Sequence, residues 1–219
     1  MMQEIVVFLG PSLPVDTARG ILDALYLPPA RRGDLLLAGS QGAGTIVLID
    51  GVFFQDCAVA HREVLAVIHE GVRVVGASSM GALRAAEMDT LGMEGVGEVY
   101  RLYRDGVLTS DDEVALTFDP LTYAPLSEPL VNIRATIAVA EERGVLTRDE
   151  GACIFLEAQR RYFPDRRWED ILESLKGSIP HYVLERFRIF LISGVRDVKA
   201  EDAVLALTTV RNRVREPGS

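Results

Sequence analysis

An apolar run, Val72-Arg73-Val74-Val75, passes without a linker into Gly76-Ala77-Ser78-Ser79-Met80-Gly81-Ala82-Leu83-Arg84-Ala85-Ala86-Glu87. β-Branched residues, then a knot of small ones, then Ala, Leu and Met read as strand, tight turn and helix. Two more apolar runs, Ile5-Val6-Val7-Phe8-Leu9 and Thr45-Ile46-Val47-Leu48-Ile49, end in the same way, at Gly10-Pro11 and Asp50-Gly51. Helical segments separate them, predicted over 15–25 and 58–70. Val- and Ile-rich strands separated by helices indicate a parallel sheet covered on both faces.

In such sheets ligands bind outside the carboxyl ends of the strands. If the three strands are neighbours, Ser12, Asp50, Ser78 and Ser79 share one crevice. A serine at the turn meets the free N–H groups of a helix start, where negative charge is stabilised. Ala77-Ser78-Ser79-Met80-Gly81 approaches the small-x-Ser-x-Gly spacing of a nucleophile elbow, with Ser79 central. The plainer alternative is that Ser78 or Ser79 simply caps the helix. Arg84 and Glu87 interrupt an otherwise apolar helix and need a partner, in the simplest case each other at i, i+3.

Other groups carry the same two readings. On the helix predicted over 58–70, Cys57, His61, Val64, Leu65 and Ile68 fall on one face, and Gly71 supplies the stop. His61 is either a boundary residue or a general base; Asp50 either bonds the turn or points into the crevice. Asn132 and Arg134, on a later apolar helix, are expected to contact another element or a ligand. Asp111-Asp112-Glu113 reads as a solvated acidic loop before a cation site.

Beyond Val96 the pattern turns helical, with segments near 96–104, 130–143, 148–162, 167–176, 179–193 and 199–212. Ser127 is placed to cap the second of these, with Pro129 in its first turn. The expected architecture is α/β, a small parallel sheet flanked by helices in the N-terminal half and an all-helical C-terminal half. The boundary falls between an α/β core over 1–119 and a helical extension over 120–219.

Composition narrows the function. With 48% hydrophobic residues the 219-residue chain can bury a core, and a net charge of −9 argues against nucleic acid. Neither a membrane span nor a signal peptide is legible, so a cytoplasmic location is expected. Two distant cysteines, Cys57 and Cys153, give neither a disulfide framework nor a zinc cluster. The first turn lacks Gly-x-Gly-x-x-Gly and no Walker lysine motif occurs, so no nucleotide or other cofactor is expected. Of the 23 basic residues only Lys176 and Lys199 are lysines.

Several blocks together resemble one family. They are Phe8-Leu9-Gly10-Pro11-Ser12-Leu13-Pro14, Ile49-Asp50-Gly51, His61-Arg62-Glu63-Val64, Gly76 to Met88, Gly92-Met93-Glu94-Gly95-Val96-Gly97, Asp112-Glu113-Val114-Ala115 and Pro125-Leu126-Ser127-Glu128-Pro129. The combination is similar to the TfuA family. That resemblance implies a cytoplasmic accessory protein of peptide backbone thioamidation. It would hydrolyse the C-terminal thiocarboxylate of a ThiS-like sulfur-carrier protein and supply sulfide to a partner YcaO-type enzyme, which modifies a precursor peptide or protein. The alternative within the family is a noncatalytic adaptor bridging the YcaO enzyme and its substrate.

The resemblance also implies a Ser–Lys type hydrolase site, in which the serine carries over best to Ser79, with Ser78 beside it. Where the family often reads His-Lys-Glu, this chain has His61-Arg62-Glu63. Arginine does not act as a base, so His61, Asp50 or Glu63 would have to substitute. Gln159 and Lys176 are further places to look. Ser12, Arg84, Asn132 and Arg134 would hold the substrate tail, and no metal is called for.

Overall fold

Alternate residues of three strands point into two different apolar cores. Val6, Phe8, Ile46, Leu48 and Val74 belong to one; Val7, Leu9, Val47, Ile49, Val75 and Ala77 belong to the other. That period of two is what a sheet buried on both faces requires. The computed structural model describes residues 4–53 and 57–215. They form two units, one running through Asp111 and resuming at Lys199, the other Asp112–Val198.

The first unit holds a five-stranded sheet of β1 (Glu4–Phe8), β2 (Leu25–Leu27), β3 (Ala43–Leu48), β4 (Arg73–Ala77) and β5 (Glu94–Val96). All pairings are parallel and the order is β2-β1-β3-β4-β5. The order reverses between β1 and β3, so that gap is the topological switch point of the sheet. Helices α2 (Asp34–Ser40), α3 (His61–His69) and α4 (Met80–Met88) cover one face. On the other face lie α1 (Val15–Ile21) and the last helix of the chain. A further helix, Glu98–Arg104 (α5), follows β5.

Helix α3 stops as the sequence expects. Gly71 takes φ +84°, its N–H donates to Ile68 O, and Val72 N–H donates to Val67 O. This paired closure turns the chain directly into β4. The helix starts later than the apolar stripe suggests, at His61, because Glu63 reaches back to the Ala60 N–H at 2.6 Å. The buried polar residue of this helix is therefore Glu63, while His61 and Cys57 are exposed.

The second unit consists of α6 (Leu130–Glu142), α7 (Arg148–Arg160), α8 (Trp168–Ser174) and α9 (His181–Gly194) around a separate core that includes Ile133, Ile154, Ile171, Leu172 and Phe187. Thr147 and Glu150 cap α7 reciprocally. Ser127 does not cap α6. Its hydroxyl accepts from Thr117 N–H at 2.9 Å, and Pro129 occupies the N-cap.

Burial pushes the Glu128 carboxyl up to about 7, helped by the charges of Asp197 and Glu169. The folded chain therefore keeps a proton that the unfolded chain loses near 4.5. The contribution of this group to stability is highest at low pH and falls as pH rises through 7, by on the order of 3 kcal/mol in all. Urea midpoints measured from pH 5 to 8 should decline for the wild type relative to Glu128→Gln; parallel curves would contradict this.

The last helix, α10 (Val198–Arg215), closes the helical C-terminal half. Its Ala203, Ala206, Leu207 and Val210 pack on the sheet, so from Lys199 onward it completes the first unit. Asp202 accepts from Glu98 N–H at 2.7 Å and Val99 N–H at 2.8 Å, capping α5 from outside. Burial raises its carboxyl and the two amide bonds oppose that. Gly97 has φ +102°, and a Cβ there would lie 2.2 Å from Asp202 Cγ, so both dihedral and space demand glycine. Asp202→Ala should lower stability by about 2–3 kcal/mol, because it strands two amide donors, one of them buried. Chemical unfolding reads this directly.

Candidate functional site

Ser78 is the conformational anomaly of the sheet edge. With Tyr123 it is one of two non-glycine residues with positive φ among the described residues, at +69°. Ser79 N–H donates to Ala77 O at 2.8 Å and closes a three-residue turn around it. Such turns are rare and strained, costing about 1–3 kcal/mol, and concentrate at functional sites.

The sequence makes this turn possible through close approach. A Cβ on Gly76 would lie 2.2 Å from Gly81 O and 2.5 Å from Met93 Cε; one on Gly81 would lie 1.7 Å from Leu48 O. Gly81 N–H also donates to Ile49 O at 3.2 Å. Strand β4, the start of α4 and the end of β3 thus pack backbone on backbone.

The elbow geometry falls on Ser78, one residue before the position that spacing favoured. Ser79 is the N-cap of α4, φ −116°, but its hydroxyl makes no cap bond. Ser78 is fully buried, and its Oγ has no hydrogen-bond partner among the described residues. Ser79 is 2% exposed.

Asp50 and Ser12 come together at the switch point, at the adjacent strand ends. Asp50 Oδ2 accepts from Gly10 N–H at 2.8 Å and Ser12 N–H at 3.1 Å, and Oδ1 accepts from Ser12 Oγ at 2.6 Å. Three donors hold this buried carboxylate. It takes up the amides just after β1 and so pins β1 to β3.

His61, Arg84 and Glu87 form a separate group. His61 Nε2 lies 2.8 Å from Glu87 Oε2, Arg84 pairs with Glu87, and Arg84 Nε donates to Val59 O at 2.8 Å. The charges on α4 are thus satisfied by each other and by α3. Arg62 is exposed on α3.

Asn132 and Arg134 belong to the second unit. Asn132 Nδ2 donates to Asp197 at 2.9 Å. Arg134 pairs with Glu113 at 2.8 Å and stacks on the Phe155 ring at 4.2 Å. Asp112 pairs with the buried Arg166, so two of the three acids of the segment Asp111–Glu113, Asp112 and Glu113, are engaged in ion pairs. Lys176 is exposed and paired with Glu173. Among the described residues no three His, Cys, Asp or Glu side chains converge as metal ligands. No helix there is long and apolar enough to cross a membrane.

The sequence model of TfuA-like proteins matches residues 50–167, more than half of the chain. The chain belongs to the TfuA-like family. No curated protein matches it. The match in this TfuA-like protein opens at Asp50 and contains the Ser78 turn, the Gly92–Gly97 block and most of the second unit.

One residue that sequence reasoning passed over lies outside that match. Lys199 is 2% exposed, in the first turn of α10. Asp202, three residues on, reaches the amides just beyond β5; Arg213 pairs with Glu94 at the start of β5. Helix α10 therefore runs antiparallel to the strands, and Lys199 stands at their carboxyl edge. Its only sequence signal was scarcity, one of two lysines among 23 basic residues.

Proposed function

We propose that this TfuA-like protein hydrolyses the C-terminal thiocarboxylate of a small ThiS-like carrier protein and releases sulfide to a YcaO-type partner that thioamidates a peptide or protein. The observation that carries the reading is the strained, buried, unpartnered Ser78 hydroxyl on a strand–turn–helix at the carboxyl edge of a parallel sheet. A hydroxyl on the turn that leads into a helix start supplies the nucleophile, and the helix start supplies amides able to stabilise an anion, as acyl transfer needs.

Ser78 Oγ attacks the thiocarboxylate carbon, its proton passing through a base to the departing sulfur, so that the C–S bond breaks and hydrosulfide ion leaves. Water then attacks the acyl-serine ester, one of its protons returning to the serine oxygen and the other passing through the base to solvent, and the carboxylate is freed. Asp50 already accepts three donors, His61 is held by Glu87, and arginine is not a side chain that serves as a base. For the base we favour Lys199, which is 2% exposed at the same edge and supplies the lysine of the Ser–Lys pairing that the family resemblance implies.

A second reading, a noncatalytic adaptor between the YcaO enzyme and its substrate, is favoured by burial of both hydroxyls, since Ser78 is fully buried and Ser79 2% exposed. One experiment separates the two. A thiocarboxylated carrier is incubated with the protein, with and without the YcaO partner, and intact mass reports conversion to the carboxylate while a sulfide probe reports the product. Catalytic turnover dependent on Ser78 establishes the hydrolase. Absence of turnover in both mixtures leaves the adaptor.

A further inference from the structure

Helix α9 exposes apolar side chains that a solvated helix would not carry. Ile192 is 84% exposed and Ile189 67%, one turn apart, with Val195 at 44% just beyond the helix end. Apolar residues grouped in this way mark contact surfaces. Beside them runs a groove of about 320 Å³ between α8 and α9, lined by Trp168, Leu172, Leu191, Ile192 and Val195. Its two rims carry opposite charge, Glu169 on α8 and Arg188 on α9.

We propose that this face binds a second copy of the chain. An apolar ridge lying next to an apolar groove is self-complementary under a two-fold axis: the ridge of each copy enters the groove of the other. The same rotation brings Arg188 of one copy against Glu169 of the other, twice. Arg188 already pairs with Glu185 on the exposed surface of its own helix, a contact weak enough to be exchanged. Acid on one wall and base on the other favours a copy with the same pattern over a partner of uniform charge. The contact lies in the helical unit and is independent of the Ser78 chemistry.

Sedimentation equilibrium over a range of protein concentrations tests it. The mass of the wild type should rise with concentration toward twice the chain mass, and Ile192→Asp should remain monomeric with an unchanged circular dichroism spectrum. Arg188→Glu should weaken the dimer at least about tenfold, and the swap Arg188→Glu with Glu169→Arg should restore it. A wild type that stays monomeric throughout, or a dimer indifferent to both Ile192→Asp and Arg188→Glu, overturns the proposal.

Discussion

Under the proposed mechanism Ser78→Ala should abolish sulfide release, lowering turnover of a thiocarboxylated carrier by at least about three orders of magnitude, because that mechanism takes its attacking oxygen from Ser78. The fold should survive. Ser78 Oγ is buried without a partner among the described residues, so its removal relieves a desolvated hydroxyl and breaks no bond among them. The melting temperature of the variant should equal or exceed that of the wild type. Ser78→Gly goes further, since glycine accepts φ +69° without penalty; it should be inactive and more stable by about 1 kcal/mol. This opposition between stability and activity is the mark of strain held for function. Ser79→Ala should retain most activity, because that hydroxyl makes no cap bond and its backbone is not in the left-handed region. If Ser79→Ala were dead and Ser78→Ala active, the nucleophile would be Ser79 and the turn strain would have another origin.

The positive φ lies at Ser78 and not at Ser79, a distinction that the spacing of small residues does not carry. Spacing of small residues located the turn, because Gly76 and Gly81 are required by contacts under 2.5 Å that any side chain would violate. It did not say which serine carries the positive φ, since that depends on how far β4 runs before α4 begins. The central strands were legible because short runs of four or five residues, rich in Val and Ile, end at Gly or at Asp-Gly, which decides for strand over buried helix. Edge strands β2 and β5 were not. Each has three residues, Leu25-Tyr26-Leu27 and Glu94-Gly95-Val96, too few for a period to register. Asp50 and Ser12 were placed at one edge by topology alone, but their bond needs the β1–β3 pairing to exist. Lys199 was invisible for a related reason. A helix that returns to the sheet after a whole helical unit leaves no local mark in the chain.

Gly81→Ala should not fold. Its Cβ would lie 1.7 Å from Leu48 O and 2.6 Å from Leu48 C, backbone atoms at the end of a central strand. Flexible side chains can yield to such a contact; a paired strand cannot. Leu48 is in register with Phe8 on one side and Gly76 on the other, so its carbonyl is fixed by both neighbours. Relief would require α4 to lift from the sheet, withdrawing Met80, Ala85 and Met88 from the core and opening the turn at Ser78. Overpacking of this severity costs well over the usual 1–3 kcal/mol, against a total stability of about 5–15 kcal/mol. Gly20→Ala supplies the contrast. Gly20 lies in α1 with nothing within 4 Å of its Cβ, and alanine there should stabilise by about 0.5–1 kcal/mol. Soluble yield and thermal melts of the two variants side by side make the comparison. A soluble, cooperatively melting Gly81→Ala protein would mean that α4 is seated more loosely than the backbone contacts require, and an elbow seated so loosely could not hold Ser78 in its strained turn.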